Sequence, residues 1–409
     1  MKCNWKKMKL SEIAFINPKE SIPRDLSAKK VSMDMLIPFC RDIPTFTLEK
    51  YNGGAKFRNN DTIMARITPC LENGKIAKVN ILNPNEVGFG STEYIVFRAV
   101  EGICDPDYLY YLICSPIVKN PSIKSMIGSS GRQRAQIDVV SNIEIDMPIL
   151  STQKKIGQLL KIIDDKISLN TSINNNLQQQ IRLLCRSWLV DYTPYGCKQP
   201  DTWSVVPLSS IADFVSGYSY KGSELVESEI AMATIKNFDR KGGFKLDGYK
   251  EIQPSTKLKP EQHAALFDTL VAHTDLTQNA EVIGNAEPIL SMSGYKDIIF
   301  SMDVVKVLPK KGVSKFLIAA LLQDGRFKAH ALGYVNGTTV LHLSKKALSE
   351  FELPLPSDLN DLGPLANAIE FMYRQIACNI EESERLAKLR DSLLPRLISG
   401  ELDVSDIEL

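Results

Sequence analysis

The chain has 409 residues, 44% hydrophobic and 24% charged, with net charge +1. That balance excludes a disordered chain, and it excludes a global positive field, so any nucleic-acid contact must be a local patch. No stretch of about 18 apolar residues exists, and the start MKCNWKKMKL lacks an apolar signal core; a cytoplasmic location is the expectation.

Taken in order, residues 1–18 read as a short strand or turn ending at Asn17-Pro18. β-like runs follow at Thr62–Ile67, Ile76–Ile81, Tyr94–Ala99 and Ile143–Met147. Turn signals at Asn52-Gly53-Gly54, Asn73-Gly74 and Asn83-Pro84 separate them. Asp107–Ser115 and Ile117–Ile127 read as helices. Residues 1–148 thus form a first mixed, strand-rich domain. A long helix over 149–190 comes next, with Ser151 or Thr152 as N-cap. Its apolar seam is Leu160, Ile163, Ile167, Leu177, Ile181, Leu184 and Trp188. The stretch Asn170–Asn176 is poor in helix formers, so a helix broken by a loop is the alternative.

A turn-rich linker, DYTPYGCKQP, opens the second domain, 191–356. Strands are predicted at Thr269–His273, Ile298–Leu308 and Glu350–Leu355, and a helix at Phe316–Gln323. A second long helix spans 357–401, capped by Asp358 or Asp361 and ended by Ser399-Gly400, before a tail at 402–409. Ile369, Met372, Ile376, Leu386, Leu393 and Leu397 carry its seam.

The two halves repeat one another. Trp5, Leu10, Ser11, Ile13 and Ala14 recur at constant spacing as Trp203, Leu208, Ser209, Ile211 and Ala212. Asp61, Thr62 and Ala65 recur as Asp268, Thr269 and Ala272. Gly131, Ile137, Ile145 and Pro148 match Gly337, Leu343, Phe351 and Pro354. The expected architecture is α+β: two strand-rich domains built around a pair of long helices. On the shared seam Asn170 and Asn174 correspond to Asn379 and Ser383, and in an antiparallel pair these polar layers would meet and set the register.

Several motifs carry a family resemblance. They are DTIMARI (61–67), STEYIVF (91–97), PILSTQKKI (148–156), SWLVDY (187–192), AHTDLTQ (272–278) and LRDSLLPRLISGEL (389–402). With them, and with the duplication, the chain resembles the specificity subunit of a Type I restriction–modification system along essentially its whole length. It departs from the family at Thr152, where a glutamate is usual, and at Gly128–Gln136, which lacks a Gly-Thr-Thr-Gln run. The resemblance implies a subunit without chemistry. Each strand-rich domain would read a few base pairs of double-stranded DNA, and the two long helices would pack antiparallel and hold the two readers apart. Two copies of a methyltransferase subunit, and restriction subunits through them, would be placed on the target. No cofactor and no membrane association are implied.

The residues agree with a non-catalytic reading. There is no Asn/Asp-Pro-Pro-aromatic tetrad and no phosphate-binding Gly-x-x-x-x-Gly-Lys-Ser/Thr loop. The eight cysteines form no Cys-x-x-Cys pair, so no metal site is expected. Asp61 and Asp268 recur, and a turn cap before a buried strand is the plain reading of both. Base contacts are expected from polar loop residues able to pair with base edges, and these should differ between the domains. In the first they are Arg66, Thr68, Asn73, Lys75, Arg132, Gln133 and Arg134. In the second they are His273, Thr274, Thr277, Gln278, Asn279, Asn336, Thr338 and Thr339. Tyr218, Tyr220 and Lys221 form an aromatic–basic cluster that a packed turn explains equally well. Two other classes stay open: a coiled-coil adaptor that binds no DNA, and a fragment of a fused restriction–methylation enzyme.

Overall fold

The computed structural model describes residues 5–23, 26–129, 131–405 and 407. The chain divides into two compact units, Met1–Ser168 with Arg385–Leu409, and Leu169–Glu384. Each unit therefore combines one strand-rich module with part of each long helix.

In the first unit, entry strand Lys6–Lys9 pairs antiparallel with exit strand Glu144–Met147. Two four-stranded sheets lie between them in sequence. One has the order Ala14–Ile16, Tyr94–Ala99, Thr62–Ala65, Ile76–Lys78. The other has the order Thr47–Lys50, Ser27–Val31, Gly88–Gly90, Lys56–Phe57. Every residue of Thr62–Ala65 is buried, as expected of a strand covered on both faces. Asp105 starts helix Pro106–Cys114 by accepting from the N–H groups of Asp107 and Tyr108, with Pro106 at the first helical position.

The second unit repeats this plan strand for strand. Trp203–Pro207 pairs with Glu352–Pro356. One sheet runs Ala212–Ser216, Val304–Pro309, Thr269–Ala272, Ala286–Pro288. The other runs Lys250–Glu251, Ile230–Ala233, Asp297–Phe300, His263–Ala264. In both units the second sheet contains a single parallel pair. Asp61 accepts from the Arg58 N–H at 2.7 Å and Asp268 from that of Ala265 at 3.1 Å. Both are turn caps ahead of a buried strand, and Asp61 is also clasped by the Arg98 guanidinium.

Three sequence expectations are corrected. The run Ile298–Leu308 is two strands, Asp297–Phe300 and Val304–Pro309, which turn at Ser301 and enter different sheets. Ser301 and Asp303 interrupt the apolar run and were the available turn signal, outweighed by the apolar residues on either side. Second, the exit strands are equivalent two residues away from the sequence match. The Leu10 N–H donates to Ile143 and the Leu208 N–H to Phe351, so Ile143, not Ile145, corresponds to Phe351. A two-residue slip leaves inward and outward faces unchanged, and hydrophobic alternation is blind to it. Third, the first long helix begins at Leu150, placing Ser151 and Thr152 inside its first turn rather than at its cap.

That helix is continuous over Leu150–Leu189, through the asparagine-rich stretch. The second long helix is Gly363–Ile398; Asp358 caps the short 3-10 turn Leu359–Leu362 that leads into it. Gly400 follows with φ +73°, the left-handed position that favours glycine after a helix. Within the first unit, Asp164 of the first long helix is buried and accepts from Tyr111 Oη at 2.6 Å and Arg390 Nη1 at 2.7 Å. Gln153, also buried, donates to the carbonyls of Ile103 and Pro148 and accepts from the Asp105 N–H. These contacts tie the helix to its module.

Within the second unit the four polar seam residues come together. Asn170 is fully buried, and its Nδ2 donates to Glu382 Oε2 at 2.8 Å, Ser383 Oγ at 3.2 Å and the Asn379 carbonyl at 3.4 Å. Asn379 Nδ2 donates to Asn174 Oδ1 at 2.8 Å. Rising positions on one helix meet falling positions on the other, so the pair is antiparallel here. Apolar side chains flank this layer, among them Ile181, Ile369 and Ile376. Among the described residues, no helix is long and apolar enough to cross a membrane.

Candidate nucleic-acid interface

The predicted contact residues come from segments far apart in sequence, and in each unit the fold brings those segments side by side. In the first unit the chain leaves the buried strand Thr62–Ala65 and meets residues 132–135. Ile67 bridges Arg134, the Thr68 N–H donates to the Gln133 carbonyl at 3.0 Å, and the Gln133 N–H donates to Thr68 Oγ1 at 2.9 Å. On its other side Arg134 bridges Ile127. In the second unit the same three segments form a small sheet: Leu341–Leu343 lies between Thr274–Asp275 and Val335–Asn336. A three-stranded patch thus follows the central buried strand in both units, and its side chains differ between them.

The first patch is built around a carboxylate. Arg134 grips Glu93 through Nε at 2.9 Å and Nη2 at 2.7 Å, and this bidentate contact holds the Glu93 carboxyl below its usual range. The Arg66 Nε faces the same carboxylate at 3.8 Å, too far for a hydrogen bond, and this buried atom has no hydrogen-bond partner. Lys75 donates to the Met33 carbonyl at 2.7 Å. Asn73 and Arg132 are exposed.

The second patch is organised by Asp275, which is buried. Burial alone would raise its carboxyl, but N–H groups of Val282 at 2.7 Å and Thr277 at 2.8 Å hold it below the ordinary range. Lys328 Nζ reaches the carbonyls of Ala280, Glu281 and Ile283. The loop over 275–285 is therefore pinned from both sides and presents Gln278 and Asn279 outward. Gln278 Nε2 donates to the Thr338 carbonyl at 2.7 Å, joining this loop to the exposed Asn336, Thr338 and Thr339. Thr277 donates its hydroxyl to Asp275. Thr274 is buried in the sheet, and His273 keeps an unpartnered buried Nε2, with burial holding its ring below the usual histidine range. Tyr218 and Lys221 belong to a packed turn: the Tyr218 hydroxyl and the Lys221 N–H both donate to Glu224.

Sequence reasoning missed Glu93, Asp275 and Lys328. Glu93 and Asp275 lie inside the quoted motifs STEYIVF and AHTDLTQ, where a lone acid among polar neighbours was the available signal. Lys328 sits on helix Gly325–Leu332, and nothing in its sequence surroundings points to the loop it holds.

Residues 2–179 match the family described as the Type I restriction modification DNA specificity domain. The chain is 23% identical to the Type I restriction enzyme HindI specificity subunit of Haemophilus influenzae, over 76% of this chain and 81% of that one. It is 22% identical to the MjaVIII specificity subunit of Methanocaldococcus jannaschii, over 78% and 76%. The crystal structure of a Type I restriction–modification S subunit from M. genitalium superposes with TM-score 0.54 at 13% identity, covering 96% of each chain. The fold expected from the sequence, two strand-rich modules with two long helices in a repeated plan, is the fold found. The resemblance to Type I specificity subunits read from the motifs is met by relatives similar over about three quarters of the chain.

Proposed function

We propose that this relative of Type I specificity subunits reads an asymmetric, bipartite double-stranded DNA target, one half-site per unit, and itself carries out no catalysis. The observation that supports this most is the repeated three-stranded patch: one frame, present twice, with Arg132, Gln133 and Arg134 on one copy and Gln278, Asn279, Asn336 and Thr338 on the other. Identical frames with different polar side chains suit two different short sequences. Methyltransferase subunits dock on the parts both halves share, two copies per chain, and restriction subunits join through them. The two long helices act as the spacer between half-sites. No observation favours the adaptor or fused-enzyme reading over this one.

The test is a module exchange. Residues 19–140 replaced by the corresponding module of a relative should change one half of the methylated target and leave the other, read by methylation-sensitive sequencing of host DNA. A change in both halves would refute independent readers, and native mass spectrometry that saturates at one methyltransferase copy would refute the paired docking.

A further inference from the structure

A cleft of about 570 Å³ opens on the first unit beside the Arg66 patch. Its lining includes Lys19, Lys56, Arg66, Thr92 and Tyr94, with Gly54 at one edge. A Cβ at Gly54 would stand 1.9 Å from the Gly90 carbonyl oxygen, so only glycine permits this close approach of the two backbones.

The charges around the cleft do not cancel. Glu20, which also lines it, is already engaged: Arg58 and Arg98 both hydrogen-bond to it and hold its carboxyl down at about 2. Asp61 behind it is paired with Arg98. Glu93, the carboxylate Arg66 faces, is held bidentate by Arg134. Two arginines thus compete for one carboxylate, and Arg66 is the one left without a hydrogen bond from its buried Nε. Lys19 is exposed at the rim, while Lys56 donates to the Glu20 carbonyl at 2.8 Å and sits over the Tyr51 ring. That Nε is closed to solvent, but the Arg66 side chain is 25% exposed and lines the cleft, so its guanidinium charge is only loosely held by Glu93 and is open to an anion from the cleft side.

We propose that this cleft takes a backbone phosphate of the bound DNA strand, with Arg66 as its principal donor and Lys19 and Lys56 as flanking charges. Arg66 is then a positioning contact, not a reader of base identity. The volume exceeds what a phosphate needs and admits the sugars on either side. This rests on the DNA-reading function proposed above. It refines that reading, because phosphate contacts set the register of a protein on the duplex while base contacts specify sequence.

The experiment measures binding of the chain, assembled with its methyltransferase subunits, to a duplex carrying the mapped target and to an unrelated duplex, across a salt series. Arg66→Gln should weaken binding to both duplexes by a similar factor, about tenfold. The slope of log affinity against log salt should become shallower by about one. Lys19→Gln, at an exposed residue whose loss leaves the core untouched, should shift the slope in the same direction. Arg66→Lys should keep the wild-type slope, which a merely structural role would not predict. Neutral methylphosphonates placed singly along the duplex should reveal one position that weakens wild type and leaves Arg66→Gln unaffected. Weakening confined to the target duplex would make Arg66 a base reader and overturn the proposal. Variants that lose stabilisation by inorganic phosphate but bind both duplexes with the wild-type slope would assign the cleft to a free anion and overturn it too. A wild-type assembly that binds neither duplex would instead defeat the DNA-reading function itself.

Discussion

The buried asparagine layer gives the sharpest stability prediction. Asn170 is fully buried, and while its Nδ2 has three acceptors its Oδ1 has no donor. That orphan costs about 1–3 kcal/mol. Replacing Asn170 and Asn379 together by leucine removes the orphan and adds apolar burial worth about 1.5–3 kcal/mol per side chain. Against this stand the hydrogen bonds from Asn170 and the one from Asn379 to Asn174, each contributing about 0.5–1.5 kcal/mol. The balance favours the leucine pair by roughly 1–3 kcal/mol, the range seen when buried polar groups give way to apolar ones. At about 2–4 °C per kcal/mol for a unit of this size, Tm should rise by several degrees. Asn170→Ala alone should go the other way by about 2 kcal/mol, since it leaves a cavity and removes the hydrogen bonds that tie the first helix to Glu382, Ser383 and the Asn379 carbonyl. What the layer supplies in return is one register, because two leucines meet equally well one turn away. Calorimetry gives the stability. Methyl NMR of Ile181 and Ile369, which lie in the same core, gives the register: one resonance each in wild type and additional resonances in the double variant. A double variant that melts no higher, with single resonances, would refute the reasoning.

Asp164→Ala should cost about 3 kcal/mol by urea denaturation, since it leaves Arg390, with side-chain exposure of 12%, and the Tyr111 hydroxyl short of their shared partner. Burial pushes the Glu287 carboxyl up to about 6, so the folded chain binds its proton more tightly than the unfolded one. The resulting stability is fully present below about pH 4.5 and falls by roughly 2 kcal/mol as pH rises to about 6. Glu287→Gln should flatten that segment of the wild-type pH–stability curve, and an unchanged curve would rule this out. Four residues inserted after Asn174, inside the continuous first long helix, add about one turn and roughly 40° of extra rotation. About one base pair of DNA gives a matching rotation, so the unread gap should lengthen by about one base pair with both half-sites unchanged. An unchanged gap with full activity, seen by methylome mapping, would rule out the helix as spacer.

The sequence by itself determined what repeats locally. The helix seams, the buried strands Thr62–Ala65 and Thr269–Ala272, their aspartate caps and the duplication were all legible, because each is a periodicity or a turn signal a few residues long. The identity of the polar loop residues was legible too. Tertiary structure alone decided which of them meet. Nothing local ties Gln133 to Thr68 or Gln278 to Thr338, since those contacts close only when two distant segments join the same patch. It also decided which cations are spent on carboxylates. Arg66 and Arg134 read alike in the sequence, but one Glu93 serves both, and geometry gives it to Arg134. The two-residue offset of the exit strands was invisible for a related reason. Hydrophobic alternation records which face a side chain takes and not which strand, or which pair of residues along it, lies opposite.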